Sequence, residues 1–175
     1  PDGAPRTTSL PSARTTPEAP DLHALLATMV ESGVRAVVME VSSHALSLDR
    51  VGGVRFAAAG FTNLSRDHLD HHGDMESYFA AKALLFDGRA AVEVVDVDDP
   101  YGRRLVRPGT VTVSTRDTTT DWSATDVVAL PAGGSEFTLH GPGGRSWPAR
   151  LRLPGAFNVA NAVLAVALLD VVGVP

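Results

Sequence analysis

Three stretches of the chain crowd together residues that can do chemistry. Glu40-Val-Ser-Ser-His44 follows an apolar run and sets a carboxylate, two hydroxyls and an imidazole in one turn. Ligands in open α/β sheets bind just beyond the carboxyl ends of strands, so an acid there is placed to meet one. The bland alternative is that Glu40 caps the helix that follows. In the second stretch, Thr62 to Gly73, the loop holds Asn63, Asp67, His68, Asp70, His71 and His72. Such crowding is costly unless water, metal or substrate satisfies it, although a histidine-rich surface loop without function has the same composition. As a zinc site it is poor, because no cysteine assists and no HExxH pattern is present. Oxygen donors with one imidazole suit magnesium or manganese better. The third feature is Lys82, the sole lysine, set among Ala80, Ala81, Ala83, Leu84 and Leu85. Burial would depress its pKa and leave a neutral amine able to react, for example with carbon dioxide; a lysine snorkelling to the surface is the other reading.

The elements that must position these groups can be traced by periodicity. Residues 1–20 are rich in Pro, Ser, Thr and Arg and read as an extended lead-in. Pro20-Asp21 opens a helix with Asp21 as N-cap, apolar residues at helical spacing, and Gly33 at its end. Arg35–Val41 and Phe56–Phe61 read as buried strands, with a brief helix at Ser43–Leu48 between them. A helix over Glu76–Phe86, a strand over Val92–Val97 and a turn at Asp98-Asp99-Pro100 follow. Strands alternating with helices predict an α/β fold, a mostly parallel sheet with helices on both faces. Beyond residue 109 the texture becomes antiparallel: β-like runs at 110–114, 123–130, 136–140 and 145–153, with a hairpin signal at Gly141-Pro-Gly-Gly144. These predict a small antiparallel β subdomain. Asn158–Val172 returns to helical spacing.

The totals exclude several classes. With 175 residues, 44% hydrophobic and 20% charged, the chain is one ordinary globular domain. A net charge of −5 lacks the basic footprint of a nucleic-acid binder but leaves anionic small molecules open. Without cysteine there are no disulfides or thiolate metal sites. No signal peptide is recognisable, and the apolar run Val163–Val172 is broken by Asp170 and too short to span a bilayer. The expectation is a soluble, cytoplasmic protein with no membrane or nucleic-acid partner.

Taken in order, Thr15-Thr-Pro-Glu-Ala-Pro20, Met39-Glu-Val-Ser-Ser-His44, Phe61-Thr-Asn-Leu-Ser-Arg-Asp-His-Leu-Asp70, His72-Gly-Asp-Met75, Ala80-Ala-Lys82, Val97-Asp-Asp-Pro-Tyr-Gly-Arg103 and Pro154-Gly-Ala-Phe-Asn-Val-Ala-Asn161 form a distinctive succession. It resembles the Mur ligases, specifically the UDP-N-acetylmuramoyl-tripeptide synthetase type, from Thr15 to the end of the chain. The resemblance implies the central, ATP-binding domain of an enzyme that phosphorylates the free carboxylate of UDP-N-acetylmuramoyl-L-alanyl-D-glutamate. An amino acid, diaminopimelate or lysine, then attacks the acyl phosphate. ATP and Mg2+ are the implied cofactors, and the UDP-sugar dipeptide and an amino acid the implied partners.

Residue by residue, the resemblance implies that Thr15, Thr16, Ser42 and Arg50 contact the nucleotide-sugar peptide. Hydroxyl donors and a guanidinium fork suit such an anion. Glu40 and His68 correspond to magnesium ligands. Lys82 corresponds to a carbamylated lysine, an anion that can help hold a second magnesium. Asn63 falls near the ATP phosphates, and Asn158 with Asn161 corresponds to the pair that reads adenine. Where the family usually carries an asparagine ahead of Asp98-Asp99, this chain has Asp96.

The chain also departs from the pattern. No glycine-rich GxxGK[ST] loop is present, so the expectation is a P-loop-type fold lacking its P-loop, truncated at the N-terminus, with the N-terminal UDP-binding and C-terminal ligase domains absent. Alone, residues 1–175 should then be inactive, with a strand edge or part of the core left open. Two rival readings remain within this frame: a catalytically inactive remnant or binding fragment, and a different Mur-type ligase. A hydrolase built on His68, His71 and His72 is disfavoured, because no serine or cysteine sits in a nucleophile elbow.

Overall fold

The computed structural model describes residues 14–174. The chain divides between Val54 and Arg55 into two compact units.

In the first unit, helix α1 spans Ala19–Glu31. Its N-cap is Glu18, not Asp21, which lies in the first turn. Pro20 explains the shift: with no N–H to satisfy and φ already set for a helix, proline belongs inside the first turn, which pushes the cap upstream. At the other end Gly33 takes φ 79, the left-handed conformation expected after a helix C-cap. The short helix α2, Ser43–Ser47, is capped by Ser42, whose hydroxyl accepts from the Ala45 N–H at 3.2 Å. The cap is therefore Ser42 rather than Glu40. The strand expected over Arg35–Val41 does not form: Val34–Ser42 is irregular, and Val38 is 96% exposed. An apolar run reports where burial is favourable, but a strand exists only when a neighbour completes its ladder.

The second unit is a single six-stranded sheet in the order β1-β2-β3-β4-β5-β6: Phe56–Phe61, Ala90–Asp96, Val111–Ser114, Trp122–Ala129, Ser135–Gly141 and Arg145–Leu151. The first three pairings are parallel and the last two antiparallel. The antiparallel region thus continues the parallel sheet edge to edge. Helix α3 (Leu69–His72), α4 (Met75–Ala83) with a 3₁₀ turn at Leu84–Phe86, α5 (Pro100–Arg103) and α6 (Ala156–Val171) complete it. Both α3 and α5 are single turns in segments that read as loop and turn.

Neighbouring residues of β2 show why the sheet is covered on both faces. Val95 packs with Phe61, Tyr78, Phe79 and Phe86, while Val94 packs with Val113, Trp122, Val159 and Val163 of α6. Period-2 alternation of apolar residues on a parallel strand requires a core on each side. Among the described residues no helix is long and apolar enough to cross a membrane.

Gly102 in α5 locks this sheet to the turn after β2. A Cβ there would lie 2.0 Å from the Asp96 carbonyl oxygen, and backbone cannot yield as a side chain can. Gly102→Ala is expected to cost about 1–3 kcal/mol through overpacking, measured by urea unfolding.

Candidate functional site

The carboxyl ends of β1, β2 and β3 open into a cleft of about 630 Å³. Asn63 lines it after β1, Asp96, Asp98 and Asp99 after β2, Thr115 and Arg116 after β3, and Ala156, Phe157, Val159 and Ala160 from the first turns of α6. This is the crevice where parallel α/β sheets take ligands. Phe157 is 65% exposed, so an aromatic face stands open at the mouth. The Arg116 guanidinium makes no hydrogen bond to a described residue. The N-terminus of α6 lies at the same end, and with no side-chain N-cap its first N–H groups have no side-chain acceptor.

The three acids of the turn have different employment. Asp99 caps α5 through the N–H groups of Tyr101 and Gly102 and also accepts from Leu64 N–H at 3.2 Å. The Asp98 carboxylate accepts from the Ser114 hydroxyl and from both the N–H and hydroxyl of Thr115, each of the latter at 2.8 Å. Burial alone would raise its pKa, but these bonds and the Arg116 charge outweigh it and hold the acid below the usual carboxylate range. Asp96, 6% exposed, accepts one bond, from Asp98 N–H at 2.8 Å. Burial pushes it up to about 6; its bond from Asp98 N–H opposes this, the charges of Asp98 and Asp99 add to it, and Arg116 opposes it weakly.

Of the predicted ATP contacts, Asn63 lines the cleft. Asn158 turns its amide to the Pro154 carbonyl at 2.7 Å, and Asn161, one turn along α6, is exposed. Sequence reasoning did not single out Thr115, Arg116 or Phe157. Phe157 lay inside a recognised segment. Thr115 and Arg116 directly follow the run read at 110–114, but that run reads as part of the antiparallel region, whereas β3 pairs parallel with β2 and so brings its carboxyl end to the cleft.

A second cluster gathers around Tyr78 of α4. The His72 ring stacks on it at 4.9 Å between centroids, His68 meets it edge-on at 6.0 Å, and Lys82 Nζ lies 5.5 Å from its centroid. The structure therefore brings His68 and Lys82 to one aromatic ring. Lys82 is half-buried, with its neighbour Ala81 in the core. Burial and the nearby charge of Asp67 push the Tyr78 hydroxyl up. His68 itself adopts φ 52, a left-handed conformation rare outside glycine and costly to hold. No group of three or more His, Asp and Glu among the described residues forms a ready metal cage.

In the first unit Thr16, 1% exposed, donates its hydroxyl to the Glu40 carbonyl at 2.9 Å and accepts from Ser42 N–H at 3.2 Å. Arg50, 8% exposed, donates to the Thr16 carbonyl at 3.4 Å and pairs with Glu18 at 3.0 Å, yet its buried Nε has no partner among the described residues. Thr16, Ser42 and Arg50 are thus brought together, while Thr15 and the Glu40 side chain are exposed. A buried donor left unsatisfied costs about 1–3 kcal/mol, so an acceptor supplied from outside would be bound favourably there.

A mostly parallel α/β sheet with a cleft at the carboxyl ends of its parallel strands defines the class: an open α/β domain with its crevice where such sheets take ligands. The Mur ligase middle domain family matches residues 3–169, and the chain belongs to it. It is 51% identical over 171 residues to the UDP-N-acetylmuramoyl-L-alanyl-D-glutamate--2,6-diaminopimelate ligase of Corynebacterium glutamicum, covering 94% of this chain and 33% of that protein. A solved structure of a ligase of the same name superposes with a TM-score of 0.82 at 32% identity, covering 91% of this chain and 34% of the other. The UDP-N-acetylmuramoylalanyl-D-glutamyl-2,6-diaminopimelate--D-alanyl-D-alanyl ligase from Acinetobacter baumannii superposes less well, with a TM-score of 0.54 at 28% identity over 67% of this chain and 26% of that one. The chain spans about a third of the length of the relatives it matches.

Proposed function

We propose that this chain is the central domain of a longer cytoplasmic, ATP-dependent ligase that joins 2,6-diaminopimelate to UDP-N-acetylmuramoyl-L-alanyl-D-glutamate. In that protein, a UDP-binding domain precedes it and a ligase domain follows. The observation that carries the reading is 51% identity along nearly the whole chain to a ligase of that name. The lower likeness to the ligase of the D-alanyl-D-alanine step supports diaminopimelate addition over another step.

The nucleotide occupies the cleft at the ends of β1–β3. Arg116 and the α6 N-terminus oppose its negative charge, Phe157 offers a face to a planar base, and Asn63 a two-way amide. Asn158 and Asn161 stand on the first two turns of α6, beside the lining residues, and read adenine as the resemblance implies. The orphaned Nε of Arg50 fits a substrate carboxylate, with Thr15, Thr16 and Ser42 alongside. That arrangement holds the dipeptide end of the UDP-sugar.

The donors available for magnesium fit its chemistry. In the second unit His68 and Lys82 share one aromatic ring and are the pair that would hold the ion there; Glu40, in the first unit, offers by itself an exposed carboxylate of the kind magnesium takes. Few protein donors suit an ion that keeps water and phosphate oxygens in its shell. A magnesium ion held there would supply positive charge against the phosphates of the nucleotide. Lys82 would stand beside His68 as a carbamate: its ammonium gives up one proton, the neutral amine bonds to carbon dioxide, and a second proton passes to water, which converts a cation to an anion.

The test is phosphate release by the intact protein. Turnover should require ATP, the UDP-sugar dipeptide and diaminopimelate together, with lysine a poor replacement. Release without the dipeptide, or none with all three present, contradicts the reading; the second result points to a catalytically inactive remnant.

A further inference from the structure

Three carboxylates stand at the mouth of a cleft that, on the reading above, takes a polyanion. Two of them are consumed structurally: Asp98 holds the start of the loop after β3, and Asp99 caps α5. Asp96 is not. It is nearly buried, lines the cleft, and accepts a single hydrogen bond on Oδ1. An acid in that position faces two demands at once. Ionised, it adds to the negative field of Asp98 and Asp99 and opposes an anionic ligand. Neutral, it offers one O–H donor and one carbonyl acceptor, the same pair that an amide presents.

We propose that Asp96 is a specificity-determining residue of the nucleotide cleft: it meets the ligand as a neutral carboxylic acid, so that nucleotide binding takes up a proton. This rests on the nucleotide reading of the cleft. Burial has already brought the free acid to about 6, close enough to neutral pH for a ligand's charge to complete the protonation.

The surroundings supply little that would keep Asp96 ionised. From its own turn, Asp98 and Asp99 disfavour the charge. The Asp98 N–H bond favours the charge, though burial outweighs it, and from the loop after β3 Arg116 favours it weakly. Strand β1, Phe56–Phe61, carries no charged residue, and the loop after it contributes the neutral Asn63 to the cleft. The first turn of α6 has no charge of either sign. In α5, Arg103 is committed to the Val97 carbonyl at 2.6 Å, and Gly102 packs on the Asp96 backbone.

The experiment is calorimetric titration of the intact ligase with ADP from pH 5.5 to 8, for the wild type and Asp96→Asn, in two buffers of different ionisation enthalpy. ADP carries a phosphate that titrates in this range, so the difference between the proteins is the readout. The wild type should weaken by roughly tenfold per pH unit above 6 relative to the variant, as the binding-competent fraction falls. It should also take up a proton near pH 7.5 that the variant does not. Parallel profiles, or wild-type binding that strengthens with pH because an ionised Asp96 recruits a cation, overturn the proposal while leaving the nucleotide cleft in place. Failure of both proteins to bind ADP at any pH removes the nucleotide reading and this inference with it.

Discussion

Lys82→Ala in the intact ligase is expected to lower kcat by a factor on the order of 10²–10³, the scale for loss of one preorganised electrostatic group. In α4, Tyr78, Phe79 and Ala81 are buried while Lys82 sits half-buried beside them. Its ammonium end reaches the Tyr78 ring, which His68 and His72 also touch. A lysine kept only for its positive charge would be replaced adequately by arginine. A lysine that works as a carbamate would not, because the guanidinium stays charged and does not add carbon dioxide. Lys82→Arg should therefore lose as much as Lys82→Ala, with the KM for the UDP-sugar substrate changed by a few-fold at most. Phosphate-release kinetics decide the point. Full activity in the arginine variant would show that the cation alone suffices.

Asp96→Asn should stabilise the protein at pH 8, by about 2–3 kcal/mol. The carboxyl binds its proton more tightly in the fold, at about 6, than at its ordinary value of 3.8. Stability from this group is thus fully present below pH 3.8 and is lost as pH rises through 6. Each unit of difference is worth about 1.4 kcal/mol, and the opening of the cleft to water makes the full sum an upper bound. Asparagine keeps an acceptor for the Asp98 N–H and never ionises. Urea unfolding of both proteins at pH 4 and pH 8 should show similar stability at the lower pH and a clear gain for the variant at the higher. Equal stability at pH 8 would mean that burial does not strain the ionised acid. Residues that tune a binding site are often retained at a cost in stability.

How much of this was legible in the sequence depended on how local the controlling physics was. β1 was read at its true bounds because Phe56 and Phe61 enclose a short apolar run flanked by turn residues, and α6 because its apolar residues keep helical spacing over a long stretch. The extent of Arg35–Val41 could be read but not its state, since strand formation depends on a pairing partner that no local pattern encodes. The N-cap of α1 was misplaced by three residues because Pro20 was taken to precede the helix rather than to occupy its first turn.

The site divided in the same way. Asn63, His68, Lys82 and the Asp98-Asp99 turn announced themselves by residue type and order. Their grouping did not: His68 and Lys82 meet at Tyr78, which no local pattern ties to either. The division of labour among Asp96, Asp98 and Asp99 also needed the structure. It depends on Ser114 and Thr115, which reach the turn only because β3 lies parallel beside β2.

The most direct test of the nucleotide cleft is a titration of the intact, nitrogen-15-labelled ligase with ADP, followed by backbone amide shifts. The account predicts shifts concentrated at Asn63, Asp96–Asp99, Thr115–Arg116 and the Ala156–Ala160 turn of α6, with the far ends of β4–β6 unmoved. Shifts scattered over the sheet, or centred away from the carboxyl ends of β1–β3, would contradict it.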